Sequence, residues 1–306
     1  MNKVKFPKIS IVTPSFNQSQ FLEETIQSVL SQNYPNLEYI IIDGGSTDNS
    51  VDSIKKYADK LAYWVSEPDR GHSDALNKGF ARSTGEIMAW INSDDKYFPW
   101  TFLTVSQIFT ALPEIEWLTS SIKLRLNKRG LMCERNTFVS LGKAAFKKGY
   151  YLPDRGNCIP QESTFWRRPL WEKAGSYVDE DSCIVPDFGL WARFWQQASN
   201  VYTISVPLGC IRVHQEQVSS RLFDKCCLKA KTIWRKHGGY RPSRVYQIVR
   251  RLLLKIPLTT YMIRKNNRVV VYDPKAETWR ITEPINLFKI FRFPFVILLR
   301  IFRNVV

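Results

Sequence analysis

Short apolar runs alternate with helically spaced apolar positions through the first hundred residues. Ile9 to Thr13 reads as a buried strand ended by Pro14. Phe21, Leu22, Ile26, Val29 and Leu30 then recur at helical spacing. Tyr39 to Ile42 is a second strand, and Asp48 is placed to cap a helix with Val51, Ile54 and Ala58 on its apolar face. Ala62 to Val65 is a third strand, followed by a helical stripe of Ala75, Leu76, Gly79 and Phe80. Ile87 to Ile91 is a fourth strand. A β-α-β-α rhythm of this kind predicts an α/β fold with a mostly parallel sheet and helices on both faces.

Polar residues collect where these strands end. The four ends read Thr13-Pro14-Ser15-Phe16-Asn17, Asp43-Gly44-Gly45-Ser46-Thr47-Asp48, Glu67-Pro68-Asp69-Arg70-Gly71 and Asn92-Ser93-Asp94-Asp95. Open parallel sheets bind ligands at the carboxyl ends of their strands. No GxxxxGK[ST] occurs and no GxGxxG follows the first strand, so neither a P-loop nor a Rossmann dinucleotide site is indicated. Carboxylates after a buried strand suit Mg²⁺ or Mn²⁺ held together with substrate phosphates.

These segments carry a resemblance. ISIVTPSFN (9–17), IDGGSTD (42–48) and GFARSTGEIMAWINSDD (79–95), in that order and spacing, resemble the inverting family 2 glycosyltransferases of the GT-A fold. The branch is similar to enzymes that build bacterial surface polysaccharides. The match covers roughly residues 8–215.

The resemblance implies roles residue by residue. Asp43 would meet the nucleobase, and Thr13, Pro14 and Phe16 would line the base and ribose pocket. Asn92-Ser93-Asp94 stands at the family's DxD motif, making Asp94 the metal ligand with Asp95 beside it. Position 92 departs from the usual Asp. Asn offers an uncharged oxygen there, for ribose or a metal-bound water. Arg70 would reach a phosphate and Asp69 the ribose or base. Equally, Asp69 and Asp74 would face the positive end of the following helix.

The second half adds PQESTFW (160–166), Gly175 and PDFGLWAR (186–193), which resemble the family's acceptor-side block. Asp187 takes the place of the catalytic base, which deprotonates the acceptor hydroxyl. An N-cap role for Asp187 is compatible with that. His214, in Arg212-Val213-His214, falls where the family places a metal or diphosphate contact. Trp166, Trp171, Trp191 and Trp195 cluster here, as core or as a sugar-facing surface.

Charge changes the picture at the C-terminal end. The 306 residues hold 44 Lys and Arg against 28 Asp and Glu, a net charge of +16. Residues 221–306 carry twenty of those bases and four of those acids, so the whole surplus lies there. Tyr246 to Ile256 reads as an apolar-basic helix, and Lys275 to Glu283 as a loop or short strand. In Ile285 to Val306 the cations Lys289, Arg292, Arg300 and Arg303 share one side of a helical wheel, with Pro294 as a kink. Cations on one face fit an anionic membrane surface; packing on the protein's own core is the alternative. The body has no basic bias, so nucleic acid is not an expected partner. No uncharged run is long enough to span a bilayer.

Six cysteines without a CxxC pair, and a polar stretch from Met1 to Lys8, predict a cytoplasmic protein. The expectation is a GT-A domain at 1–220, with a donor half at 8–115 and an acceptor half at 116–220. A basic, amphipathic, helical extension follows at 221–306. The chain would move a sugar from a nucleotide-diphosphate donor, UDP-linked, to a glycan or lipid-linked acceptor, using Mg²⁺ or Mn²⁺ on the inner face of the cell membrane. Two alternatives stay open. A sugar nucleotidyltransferase would carry a Gly-rich, Arg/Lys-bearing loop where this chain has Thr13 to Asn17. A catalytically silent, membrane-bound glycan- or nucleotide-binding protein draws support from Asn92.

Overall fold

The computed structural model describes residues 6–180, 184–198, 200–243 and 269–282. The helix expected at 246–256 and the tail at 285–306 lie outside them.

Thirteen strands are described: β1 Ile9–Ser15, β2 Leu37–Asp43, β3 Tyr63–Ser66, β4 Ile87–Trp90, β5 Lys96–Tyr97, β6 Trp117–Ser120, β7 Ile122–Leu126, β8 Met132–Thr137, β9 Thr164–Arg167, β10 Tyr202–Ile204, β11 Gly209–Arg212, β12 Val269–Asp273 and β13 Thr278–Ile281. The helices are α1 Ser19–Leu30, α2 Ser50–Lys55, α3 His72–Arg82, α4 Thr101–Ala111, α5 Gly142–Lys147, α6 Arg168–Lys173, α7 Pro186–Gln197, α8 Val218–Arg221 and α9 Phe223–Lys236.

Nine strands form one sheet in the order β13-β12-β10-β6-β9-β4-β1-β2-β3. The pairs β1–β2, β1–β4, β2–β3, β6–β10 and β10–β12 are parallel. Strand β9 runs antiparallel between β4 and β6 and joins the two halves of the sheet. A second sheet, β5-β11-β7-β8, stands beside it.

The helical stripes bury as their spacing predicts. Helix α1 buries Phe21, Leu22, Ile26 and Val29, and α3 buries Ala75, Leu76, Gly79 and Phe80. Gly79 permits that packing, because a Cβ there would lie 2.4 Å from Val12 Cγ1. The tryptophans of the acceptor block are core: Trp166, Trp171, Trp191 and Trp195 are all buried. Trp191 stacks on Trp90 at 5.6 Å, and Trp195 meets Trp117 edge-on at 4.9 Å.

One detail differs from the sequence expectation, and one open alternative is resolved. Strand β1 runs through Pro14 to Ser15 instead of ending there. Its pairing with β4 covers only Ile9 to Val12, so a residue without an N–H is accommodated beyond that point. Of the loop or short strand expected from Lys275 onward, the described residues form the strand, Thr278–Ile281. Strands β12 and β13 form an antiparallel hairpin that extends the main sheet beyond β10.

Candidate active site

The carboxyl ends of β1, β2 and β4 open with the start of α7 and the end of β11 onto one cavity of about 1330 Å³. Among the expected site residues, Pro14, Phe16, Asp69, Asn92, Ser93, Asp94, Asp187 and His214 line it. Phe16 is 58% exposed, so most of its side chain is open to the cavity.

Thr13, Asp43 and Arg70 are placed differently from the expectation. Thr13 is fully buried, with its Oγ1 at 3.0 Å from the Tyr39 hydroxyl. Asp43 is also fully buried, and its carboxylate accepts three protein hydrogen bonds. These come from Ser46 N at 2.8 Å, Ser46 Oγ at 2.5 Å and Ser66 Oγ at 2.7 Å. That geometry holds the turn into Gly44 and ties β2 to β3. The acid reaching the cavity at this point is Asp69, whose Oδ2 would lie 2.7 Å from a Cβ at position 44. Asp69 also accepts the Gly71 N–H at 2.7 Å. Arg70 points to solvent and pairs with Asp74 at 2.9 Å and Glu180 at 2.8 Å. Asp48 stands one residue before the N-cap of α2, which is Asn49, and accepts the N–H of Ser50 at 2.9 Å and of Ser19 at 3.0 Å, the first residues of α2 and α1.

The turn after β4 is fixed from several sides. Asp94 Oδ2 lies 2.9 Å from His214 Nε2 and 3.5 Å from Gln217 Nε2. The next acid, Asp95, is buried and accepts the Arg212 N–H at 2.9 Å. Burial, and then the nearby Asp94 and Glu162 charges, push the Asp95 carboxyl well above the usual range. Arg212 completes the clamp. Its fully buried guanidinium donates to the Asp94 carbonyl at 3.1 Å and to Glu24 at 2.8 Å, and it lies over the Phe21 ring. Phe21 also packs against His214 at 4.9 Å.

Asn92 is committed to protein partners. Its Oδ1 lies 2.9 Å from His72 Nε2, and its Nδ2 donates to Asp95 and Gln161 at 3.3 Å each. Burial lowers the His72 pKa, and because the Asn92 Nδ2 donates elsewhere, its Oδ1 accepts and selects the tautomer in which Nε2 is the donor.

Asp187 occupies the second position of α7, after Pro186, and is partly buried. Burial raises its carboxyl above the ordinary value. Glu162, from the turn before β9, is 5% exposed and shares the cavity wall. Burial raises its carboxyl to about 7. His72, Glu162 and Arg212 received no role from the sequence. The signal for Glu162 was the one acid in PQESTFW, standing just before an apolar strand where a buried carboxyl needs a cause.

Among the described residues no group of three or more His, Cys, Asp or Glu side chains converges to hold a metal. Asp94 and His214 converge as a pair, with His214 Nδ1 buried and unpartnered. A pair suits an ion that takes its remaining ligands from substrate phosphates and water.

Residues 10–107 match the family model "Glycosyl transferase family 2". An uncharacterized glycosyltransferase of Mycobacterium tuberculosis is 40% identical over 92 residues, covering 30% of this chain and 35% of that protein. The putative teichuronic acid biosynthesis glycosyltransferase TuaG of Bacillus subtilis is 36% identical over 94 residues, covering 30% and 37%. These matches span about a third of each relative's length. Among solved structures, S. aureus TarS 1–349 in complex with UDP-GlcNAc superposes with a TM-score of 0.53 at 15% identity, over 85% of this chain and 79% of that one. The mannosyltransferase PcManGT from Pyrobaculum calidifontis, in complex with GDP-Man and Mn²⁺, gives 0.50 at 16% identity, over 85% and 84%. The fold is therefore that of the GT-A glycosyltransferases. Among the described residues no helix is long and apolar enough to cross a membrane.

Proposed function

We propose, on the premise that this chain carries a glycosyl transferase family 2 domain, that it is a metal-dependent inverting glycosyltransferase. It takes a sugar from a nucleotide-diphosphate donor, UDP-linked, and delivers it to a hydroxyl of a glycan or lipid-linked saccharide in cell-surface polysaccharide synthesis. The observation that carries this reading is the placement of Asp94 and Asp187 on one cavity, the first after β4 and the second at the start of α7.

Pro14, Phe16 and Asp69 support a nucleoside pocket at the ends of β1 and β3. Asp94 and His214 would hold a Mg²⁺ or Mn²⁺ ion. When bound, that ion neutralises the charge that develops on the departing diphosphate. Asp187 takes the proton of the attacking hydroxyl. Its burial raises its basicity toward the working pH, which suits a general base. One base and one direct displacement give inversion at the anomeric carbon. The buried wall of Trp90, Trp191 and Trp195 limits water on the acceptor side.

The tail at 285–306, apolar apart from cations on one side of a helical wheel, supports peripheral attachment to the anionic inner face of a cell membrane. The test of the activity is a panel of UDP-sugars offered with Mn²⁺ and a bacterial glycan extract, reading UDP release. Release from one sugar above the others, absent with a chelator, supports the reading. No release from any of them counts against it.

A further inference from the structure

Acids line both walls of the cavity, Glu162, Asp187 and Glu216 coming from beyond residue 115, but the cations lie on one wall only. The acids Asp69, Asp94 and Asp95 line its donor half, and none of the described lining residues from that half is Lys or Arg. Lys123, Arg125 and Arg221 all come from beyond residue 115. Two of these are already answered by acids: Arg125 meets Glu134 at 2.8 Å and Arg221 meets Glu216 at 3.6 Å.

Lys123 is held differently. Leu124 and Leu126 of β7 are buried, so the alternation of the strand turns Lys123 and Arg125 to the opposite face. Across the ladder Arg125 faces Glu134, whereas Lys123 faces the neutral Asn136, which also lines the cavity. The Lys123 ammonium donates to the carbonyls of Gly156 at 3.2 Å and Cys158 at 3.5 Å. Carbonyls orient an ammonium without cancelling its charge. Gly156 and Cys158, which hold the ammonium, line the same cavity as Glu162 and Asp187, and all of them come from beyond residue 115.

We propose that Lys123 anchors an anionic group of the acceptor: a carboxylate or phosphate on the saccharide whose hydroxyl is activated by Asp187. This rests on the glycosyltransferase reading above. The rival assignment of the same ammonium is the donor diphosphate, and the experiment separates the two.

The full chain, preloaded with UDP and Mn²⁺, is titrated with p-nitrophenyl β-D-glucuronide, glucose 1-phosphate and the neutral p-nitrophenyl β-D-glucoside. An anionic probe binds about tenfold more tightly than the neutral one, the size of one charge-assisted hydrogen bond. Whether the glucuronide or the phosphate leads identifies the anion. Lys123→Met erases the preference and Lys123→Arg retains it, while UDP affinity stays within about twofold in both. Equal binding of all three probes, or binding of none, overturns the proposal. So does a loss of UDP affinity in Lys123→Met, which assigns the ammonium to the donor. Failure of the unaltered chain to bind UDP is a separate result, one that overturns the parent reading and this inference with it.

Discussion

Asp94 Oδ2 and His214 Nε2 stand 2.9 Å apart across 120 residues of sequence. The first follows the β4 strand of the main sheet and the second follows β11 of the smaller one, so this contact joins the two sheets at the site. Replacing His214 with Ala removes half of that pair. The expected result is a roughly tenfold loss of Mn²⁺-supported UDP affinity, the usual scale for a metal-site partner. UDP binding measured without metal stays unchanged.

Asp187→Asn keeps the shape of the α7 start and removes the base. Turnover falls by about a thousandfold, within the range of general base catalysis. UDP affinity, read by calorimetry, remains at the wild-type value. Comparable loss in both would place Asp187 in donor binding.

Glu162 gives the protein a pH signature. Its carboxyl sits at about 7 when folded, against an ordinary 4.5. The folded state therefore holds a proton that the unfolded chain has released between those values. This contribution to stability is complete below pH 4.5 and is lost as pH rises through 7. The stability difference between Glu162→Gln and the wild type should shift in favour of the variant by roughly 3 kcal/mol across that window. Urea midpoints at pH 4.5 and 7.5 measure it. A pH-independent difference contradicts the assignment.

Gly79→Ala tests the helix-to-strand approach. The added methyl meets Val12 Cγ1 at 2.4 Å, inside contact distance. Destabilisation of about 2 kcal/mol is expected from overpacking, read as a lower urea midpoint with an unchanged slope. Adding Val12→Ala restores most of the loss relative to Val12→Ala alone.

Much of this was legible in the chain. The four strands at the start follow from period and length, and the helical stripes of α1 and α3 bury as spaced. Motif order brought Asp94, Asp187 and His214 together, although they come from distant segments. What spacing does not carry is pairing direction, so the antiparallel insertion of β9 between β4 and β6 was invisible. Nor does it reveal which way a side chain turns. Asp43 has the same local signature whether it meets a base or, as here, takes three donors from Ser46 and Ser66. Arg212 reads as one more cation until the fold encloses it between Glu24, the Asp94 carbonyl and Phe21.

The proposed donor site depends on Asp94 and on a divalent metal. Titration of UDP into the wild type and into Asp94→Ala, each with Mn²⁺ and again with a chelator, tests it most directly. The wild type should bind UDP with Mn²⁺ and lose at least about tenfold in affinity with the chelator. Asp94→Ala should bind weakly under both conditions. UDP affinity that survives both the chelator and the substitution would contradict the account.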